Sequence, residues 1–384
     1  MPPAPSGPSS AQAPPRGGDA APAALLDLSP GELSDLLRGW GEPEYRAEQV
    51  ARWALRGGAT DFSEMTDLPQ GLRDRLGGSY SLAPPRVALE TEADGGETSK
   101  LLFDLGSGGM VEAVRMAYDP DAAGGARAGR TTVCVSTQLG CAMACVFCAT
   151  GLQGLARNLR PAEILAQVLH VHRERRVSNV VFMGMGEPLA NYRSTMRAIR
   201  WMVAPEGLGL SPRAVTISTV GLTGPLARLA EEGLPLGLAI SLHAPDDELR
   251  RRLVPTAGRV TIDGLIQAAR RYRERTGRRV SFAYALLEGV NDDPEQARRL
   301  AGRLRGERAH VNLIPYNPVA GLGLRRPRRG RVRAFQRELQ SAGIAATVRV
   351  ERGAQIAAAC GQLRTDAARD GGPGKGRPAG GPGG

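Results

Sequence analysis

Cys141, Cys145 and Cys148 stand in one loop with the spacing C-x3-C-x2-C. Three thiolates so placed can hold three irons of a four-iron cluster and leave the fourth iron without a protein ligand. Such an open iron is a place where a small molecule can coordinate. Zinc is the rival metal, but it takes four ligands. No fourth Cys or His lies close: the nearest, His170, falls inside a stretch patterned as a helix. The two other cysteines are set apart. Cys360 lies in Ala357-Ala358-Ala359-Cys360-Gly361, where little bulk is available to bury it. Cys134 lies on the segment that feeds the cysteine loop. A free cysteine is commonly a small buried hydrophobe. The surroundings of Cys360 favour chemistry, while for Cys134 both readings stay open.

The elements that must position these thiols repeat. From residue 131 onward, strand-like runs at 131–136, 179–183, 214–218, 236–241, 280–286, 310–314 and 345–350 alternate with helical patterns at 161–175, 192–202, 262–275, 294–304 and 331–341. Repeated βα units of roughly 30 residues predict a parallel sheet, here a complete or partial barrel. The distinctive residues fall just past strand ends: the cysteine loop, Gly186-Glu187-Pro188, Ser218-Thr219, Ser241-Leu242-His243, Pro315-Tyr316-Asn317-Pro318, and the segment from Arg352 to Gln362. In a βα barrel these positions open on one face, where active sites sit. Taken singly, each is also ordinary turn chemistry. Upstream, helical patterns after Ser29, at 46–56 and at 72–76 predict a small helical module. Alternation at 100–104 and 111–116 predicts a hairpin or meander. The expected organisation is a disordered tail over 1–23, a helical accessory domain over 24–95 that could bind RNA, a catalytic core over 96–365, and a second tail over 366–384.

The chain has 384 residues and a formal net charge of +11. That sign favours a polyanionic partner, nucleic acid first. Only two of the 50 Lys and Arg residues are lysines, Lys100 and Lys375; the preference for arginine reads as base composition. Arginine clusters at 250–252 and 325–333 are candidate phosphate contacts, with Arg46 and Arg52 in the helical module. Five cysteines do not suggest a disulfide framework, and an open-iron cluster needs reducing surroundings; both predict the cytoplasm. The N-terminus lacks the apolar stretch of a signal peptide, and no apolar run reaches the roughly 20 residues of a membrane span.

The segments GEPEYRAEQVARWAL, FSEMTDLP, VCVSTQLGCAMACVFCATG, NVVFMGMGEPLANY, SLHAPDDELRRRLVP, EGVNDD, NLIPYNP and RGAQIAAACGQL resemble those of the bacterial radical S-adenosylmethionine (SAM) RNA adenine C2 methyltransferases, which modify adenosine 2503 of 23S ribosomal RNA and adenosine 37 of some transfer RNAs. The likeness runs from about residue 25 to 363; the insertion at 121–129 and the arginine-rich 325–333 look individual to this chain. The resemblance implies an α/β fold, a partial (β/α) TIM-like radical-SAM barrel with an N-terminal helical accessory domain. It implies one [4Fe-4S] cluster on Cys141, Cys145 and Cys148, and a SAM pocket from Gly186, Glu187, Ser218, Ser241, Leu242, His243 and Asn317. By the same resemblance Cys360 carries a methyl group, Cys134 closes a transient disulfide with Cys360, and Glu112 is the proton acceptor beside the base. Two SAM molecules serve each turnover, one methylating Cys360 and one supplying a radical; a transient protein–RNA adduct forms on the way. The implied partners are 23S rRNA, tRNA and a flavodoxin-like electron-donor protein, with no membrane and a monomeric chain. An adenine C8 methyltransferase of the same superfamily, a zinc-holding RNA-binding protein without catalysis, and a radical-SAM enzyme of small molecules are the competing readings.

Overall fold

The computed structural model describes residues 22–106, 109–118, 129–256, 260–350 and 352–363. Of the expected tails, the first lies outside these residues apart from its inner end and the second lies wholly outside them, as does most of the insertion at 121–129.

The N-terminal module opens with a two-residue strand β1 (Ala23–Ala24), followed by helices α1 (Pro30–Gly39), α2 (Tyr45–Arg52) and α3 (Gln70–Gly77) and a short strand β2 (Tyr80–Ser81) that pairs in parallel with β1. The start of α1 is set by a capping box: the Ser29 hydroxyl accepts from the Glu32 N–H, and the Glu32 carboxylate accepts from the Ser29 N–H. The helix expected over 46–56 is present but changes type along its length. Arg52 passes into a π-helical turn, Trp53–Gly57, that stops at Gly58 in the left-handed region.

Residues 86–95, expected in this module, belong mostly elsewhere. Strand β3 (Arg86–Ala93) is the edge of a ten-stranded sheet. It runs antiparallel to β4 (Thr98–Asp104), which pairs antiparallel with β5 (Met110–Tyr118), which pairs antiparallel with β6 (Arg130–Cys134). A bulge between Val87 and Leu89 interrupts the edge, which discourages pairing with another chain. From β6 the sheet continues in parallel through β9 (Asn179–Phe182), β10 (Val215–Thr219), β11 (Gly237–Ser241), β12 (Val280–Leu286), β13 (His310–Pro315) and β14 (Ala345–Val348). Between β6 and β9 the hairpin β7 (Gln138–Gly140) and β8 (Leu155–Asn158) carries the cysteine loop and the single turn α4 (Ala149–Leu152). Helices α5 (Pro161–Glu174), α6 (Tyr192–Val203), α7 (Thr223–Glu231), α8 (Asp247–Leu253), α9 (Ile262–Thr276), α10 (Pro294–Arg303) and α11 (Arg329–Ser341) follow their strands in turn. This is the expected partial barrel.

Strand residues alternate between two environments, as period two requires. Ile217, Leu238, Ile240, Phe282, Tyr284 and Leu313 are buried in the main core. Ser218, Ala239, Ser241, Ala283, Ala285 and Asn312 line a cavity. Apart from Phe182 and Ile314, the inward strand residues are small or polar, so the barrel stays hollow where a typical βα barrel is filled.

The module is seated on the barrel by both core and polar contacts. Leu25, Leu33, Leu37 and Val50 belong to the same continuous core as the sheet. The Trp201 indole N–H donates to Leu28 O at 2.6 Å, and Arg56 Nε donates to Gly207 O at 2.6 Å. Asp27 accepts from the Ala162 N–H at 3.0 Å and pairs with Arg160 at 3.2 Å. Among the described residues no helix is long and apolar enough to cross a membrane.

The cysteine hairpin is closed by Cys141 N–H donating to Gly154 O at 2.7 Å. Gly140 has φ +79°, and a Cβ there would lie 1.9 Å from Gly154 O. Gly140→Ala therefore strains the hairpin by roughly 1–3 kcal/mol or opens it. The expected outcome is a lower melting temperature together with reduced iron and sulfide content after reconstitution, measured by calorimetry and metal analysis.

Candidate active site

A cavity of about 160 Å³ opens at the ends of the parallel strands. On one wall are Cys141, Cys145 and Cys148; on the others are Gly186 and Glu187 after β9, Ser218 and Thr219 ending β10, Ser241 and His243 at β11, Asn317 after β13, Arg349 after β14, and Cys360. The convergence on one face is thus present. The three loop thiols share their wall with Met143 and Phe147. Burial pushes the Cys141 thiol up to about 11, and it raises Cys145 and Cys148 as well; Cys148 adds to the rise at Cys141, Cys148 and Cys141 add to it at Cys145, and Cys360 adds to it at Cys148. Crowded thiols in an apolar wall resist ionisation until a cationic centre coordinates them. Among the described residues no three potential ligands gather round a single-ion position, and the three thiols line one cavity instead. That donor set suits a cluster that takes one thiolate per iron.

The loop after β9 is bound to the approach of the cysteine hairpin. Met185 N–H donates to Ser136 Oγ at 2.8 Å, Thr137 N–H to Met185 O at 2.8 Å, and Glu187 N–H to Gln138 Oε1 at 2.8 Å. Gly186, at φ +102°, lies where a Cβ would come within 2.6 Å of Gln138 Cβ. Only glycine fits so close an approach. The Glu187 carboxylate accepts from the Leu189 N–H at 2.9 Å and the Val220 N–H at 2.8 Å. Burial raises its pKa, and these bonds and the Thr219 side chain oppose the rise.

His243 sits at φ +62°. Its Nδ1 accepts from the Ala285 N–H at 3.0 Å, so the proton of the neutral ring is on Nε2. Its ring meets Phe147 edge-on at 4.8 Å. Leu242, between Ser241 and His243, is not on the cavity wall: it is fully buried in the main core and its N–H donates to Ala283 O at 2.9 Å.

Cys360 stands at a seam. It lines the main cavity and also a smaller one of about 50 Å³, whose wall includes Cys134, Val114, Met116, Tyr118 and Arg349. The loop that carries it is tied on three sides. Asn317 Nδ2 donates to Cys360 O at 3.2 Å, Ala149 N–H to Gly361 O at 2.8 Å, and Gln362 Nε2 to Pro318 O at 3.0 Å. Cys360 is exposed and Cys134 buried; both are free thiols. Burial pushes Cys134 up to about 12, Cys360 adds to the rise, and the Arg349 guanidinium opposes it. Glu112 lies on neither wall. It is two residues from Val114 on the same face of β5, buried, and paired with Lys100 at 3.0 Å.

Arg349 was not among the expected site residues, although it directly follows β14 and obeys the same strand-end rule. Arg250 was expected in a phosphate-binding cluster, and the structure buries it. Its Nη2 donates to Val220 O at 2.7 Å and Ser241 O at 3.4 Å, tying together loops beside the cavity. Arg251 and Arg252 remain exposed. Arg325 pairs with Glu288 and Arg331 with Asp292 and Asp293, while Arg328, Arg329 and Arg333 are exposed at the start of α11. In the helical module Arg52 is exposed, whereas Arg46 is partly buried and bonded to Gln49 and Asp67 O.

Residues 135–301 match the Radical SAM superfamily, and residues 23–81 match the Ribosomal RNA large subunit methyltransferase N-terminal domain. The chain is 47% identical over 348 residues to the Ribosomal RNA large subunit methyltransferase N of Nitrosopumilus maritimus, covering 89% of this chain and 98% of that protein. It is 47% identical to the Probable dual-specificity RNA methyltransferase RlmN of Roseiflexus castenholzii, covering 88% and 95%. A solved radical SAM methyltransferase from Sphaerobacter thermophilus superposes with a TM-score of 0.82 at 47% identity, over 89% of this chain and 99% of that one.

Burial holds His243 down to about 3, with Arg250 adding to the effect. The unfolded ring binds a proton near pH 6.5, so native stability is fully present above that value and falls as pH drops toward 3. His243→Gln should flatten the fall in melting temperature between pH 6.5 and 4, read by calorimetry across that range.

Proposed function

The chain belongs to the RlmN family within the radical SAM superfamily, and from that membership we propose that it methylates carbon 2 of adenosine 2503 in 23S ribosomal RNA and of adenosine 37 in transfer RNA. The superfamily brings a [4Fe-4S] cluster and SAM. In our reading Cys141, Cys145 and Cys148 hold one cluster, and Gly186, Glu187, Ser218, Ser241, His243 and Asn317 surround SAM, with Leu242 contributing through its backbone. The cluster and SAM together supply one-electron cleavage that yields a carbon radical, the chemistry that carbon 2, an electrophilic aromatic position, requires.

The observation that carries the reading is the position of Cys360, shared between the cavity with the three loop thiols and the cavity with Cys134. A methyl group held on Cys360 faces the first cavity, where it is activated, and the second, where the base is held. Two SAM molecules are used per turnover, the first to methylate Cys360. A hydrogen atom leaves the S-methyl group, the resulting carbon radical on Cys360 adds to carbon 2 and links RNA to protein, and the adduct gives up one electron that the cluster would take back. Glu112 takes the C2 proton. The Cys134 thiolate then attacks the Cys360 sulfur; the S–S bond forms as the S–CH2 bond breaks, its electron pair passes to the carbon, and that carbon takes a proton to become the methyl group of the freed RNA. The disulfide is reset by a reductant. A flavodoxin-like protein delivers electrons, and the chain works as a cytoplasmic monomer.

Arg328, Arg329 and Arg333 support RNA binding by their placement. Of these, Arg328 and Arg329 stand at the first turn of α11, where a cation opposes the helix dipole by about 0.3–1 kcal/mol each, a cost that phosphate contact would offset. Replacing the three by Ala is expected to weaken RNA binding at low salt and to flatten its salt dependence by about one unit of slope for each phosphate no longer neutralised, measured by titration at several ionic strengths.

Anaerobic reconstitution with iron, sulfide, SAM and an RNA fragment, followed by nucleoside mass spectrometry, tests the whole reading; 2-methyladenosine is the expected product. Cys134→Ala should accumulate an RNA–protein adduct on denaturing gels, whereas Cys360→Ala should give neither product nor adduct. Normal turnover by Cys360→Ala would overturn the covalent route.

A further inference from the structure

Of the two lysines in the chain, Lys100 alone lies among the described residues. Elsewhere the carboxylates of the described residues pair with arginine, as in Arg157–Glu163, Arg197–Glu32 and Arg352–Glu97, apart from one surface histidine, His170 with Glu174. At the Glu112 carboxylate a lysine takes part instead. Lys100 Nζ lies 3.0 Å from Glu112 Oε1, with the two side chains only 19% and 6% exposed.

The register explains how they meet. Leu102 on β4 faces Glu112 on β5, and Lys100, two residues before it, faces Val114. All four side chains therefore project to one side of the sheet, and it is the side on which Val114 and Met116 line the cavity of Cys134 and Cys360. The backbone of Glu112 is fixed as well: its N–H donates to Met185 Sδ at 3.5 Å and its carbonyl accepts from Ser136 Oγ at 2.5 Å.

We infer that Lys100 is a positioning residue for the proton transfer assigned to Glu112, keeping that carboxylate ionised without locking its plane. The inference rests on the reading of Glu112 as proton acceptor. An arginine would also supply the charge, but its planar fork engages both oxygens of a carboxylate. An ammonium is a compact point charge and lets the carboxylate turn toward a base. In the step concerned, the C2–H bond of the adduct breaks, its electron pair stays in the ring, and the proton passes to Glu112, which becomes a neutral acid beside Lys100. The charged or titratable side chains on this side of β5 are Lys100 on β4, Cys134 on β6 and, around the small cavity that Val114 and Met116 line, Tyr118, Arg349, Arg352 and Cys360.

The test compares Lys100→Arg, Lys100→Gln and Glu112→Gln in a single anaerobic turnover, with the adduct followed on denaturing gels and the product by mass spectrometry. Lys100→Arg is expected to lose the C2 proton at least tenfold more slowly, so that adduct accumulates while RNA affinity stays within twofold. Lys100→Gln removes the ammonium from beside the buried carboxylate, so its rate should recover as pH rises from 7 to 9; a purely structural lysine would not move the pH profile. Normal rates in both lysine variants, with Glu112→Gln blocked, would overturn the role of Lys100. Normal turnover by Glu112→Gln would instead overturn the reading of Glu112. Should a lysine variant fail to fold, lysine ε-15N labelling of the otherwise unaltered chain decides: Glu112→Gln must shift the Lys100 resonance and leave Lys375 unmoved, and an unmoved Lys100 resonance overturns the pairing.

Discussion

A barrel that does chemistry inside itself must keep its interior from closing. Here the hollow is maintained by side-chain size. Inward positions of β10 to β13 carry Ser218, Ala239, Ser241, Ala283, Ala285 and Asn312, with Ile314 the large exception, and outward positions carry the large residues packed into the main core. Burial of the outward set stabilises the sheet, at about 25 cal/mol per Å² of apolar surface, without drawing the walls together. The remaining site follows from that division. The cysteine hairpin roofs one end of the hollow, the loop after β9 is fixed against the hairpin through Gln138 and Ser136, and the Cys360 loop closes over the other side.

Glycine and strained backbone mark the places where this closure is tightest. Gly184 has no room for a Cβ, which would lie 2.7 Å from both Ser136 Oγ and Val135 O. Gly186 is equally confined against Gln138. Ala144, in the cysteine loop, and His243 both hold positive φ, a cost accepted where function over-determines the backbone. The loop cysteines and the turn from Gly184 to Glu187 are consequently presented from crossing segments that brace one another.

Much of this was legible in the sequence. Alternating strand and helix patterns gave the parallel half of the sheet, and the strand-end residues gave the face of the cavity, because period two and βα order are local properties. What depended on tertiary packing was less visible. The Arg86–Ala93 strand reads as a polar segment because it is an edge, exposed along most of its length. Arg250 looks like surface charge beside Arg251 and Arg252, and only the fold reveals that it points inward to carbonyl oxygens. Leu242 sits between two cavity residues and, by strand alternation, turns the other way. Arg349 was missed although its place after β14 is the same as that of the residues found. The scarcity of lysine was visible from the start, yet it became informative only once Lys100 was seen beside Glu112.

The helical module shares its apolar interior with the barrel and is bolted down by Asp27, Arg56 and Trp201. Two bodies joined in this way lack the loose joint by which many nucleic-acid enzymes open and shut around a strand. With the module seated in this way, the bending or unstacking that in our reading brings a nucleotide to the cavity falls to the polynucleotide.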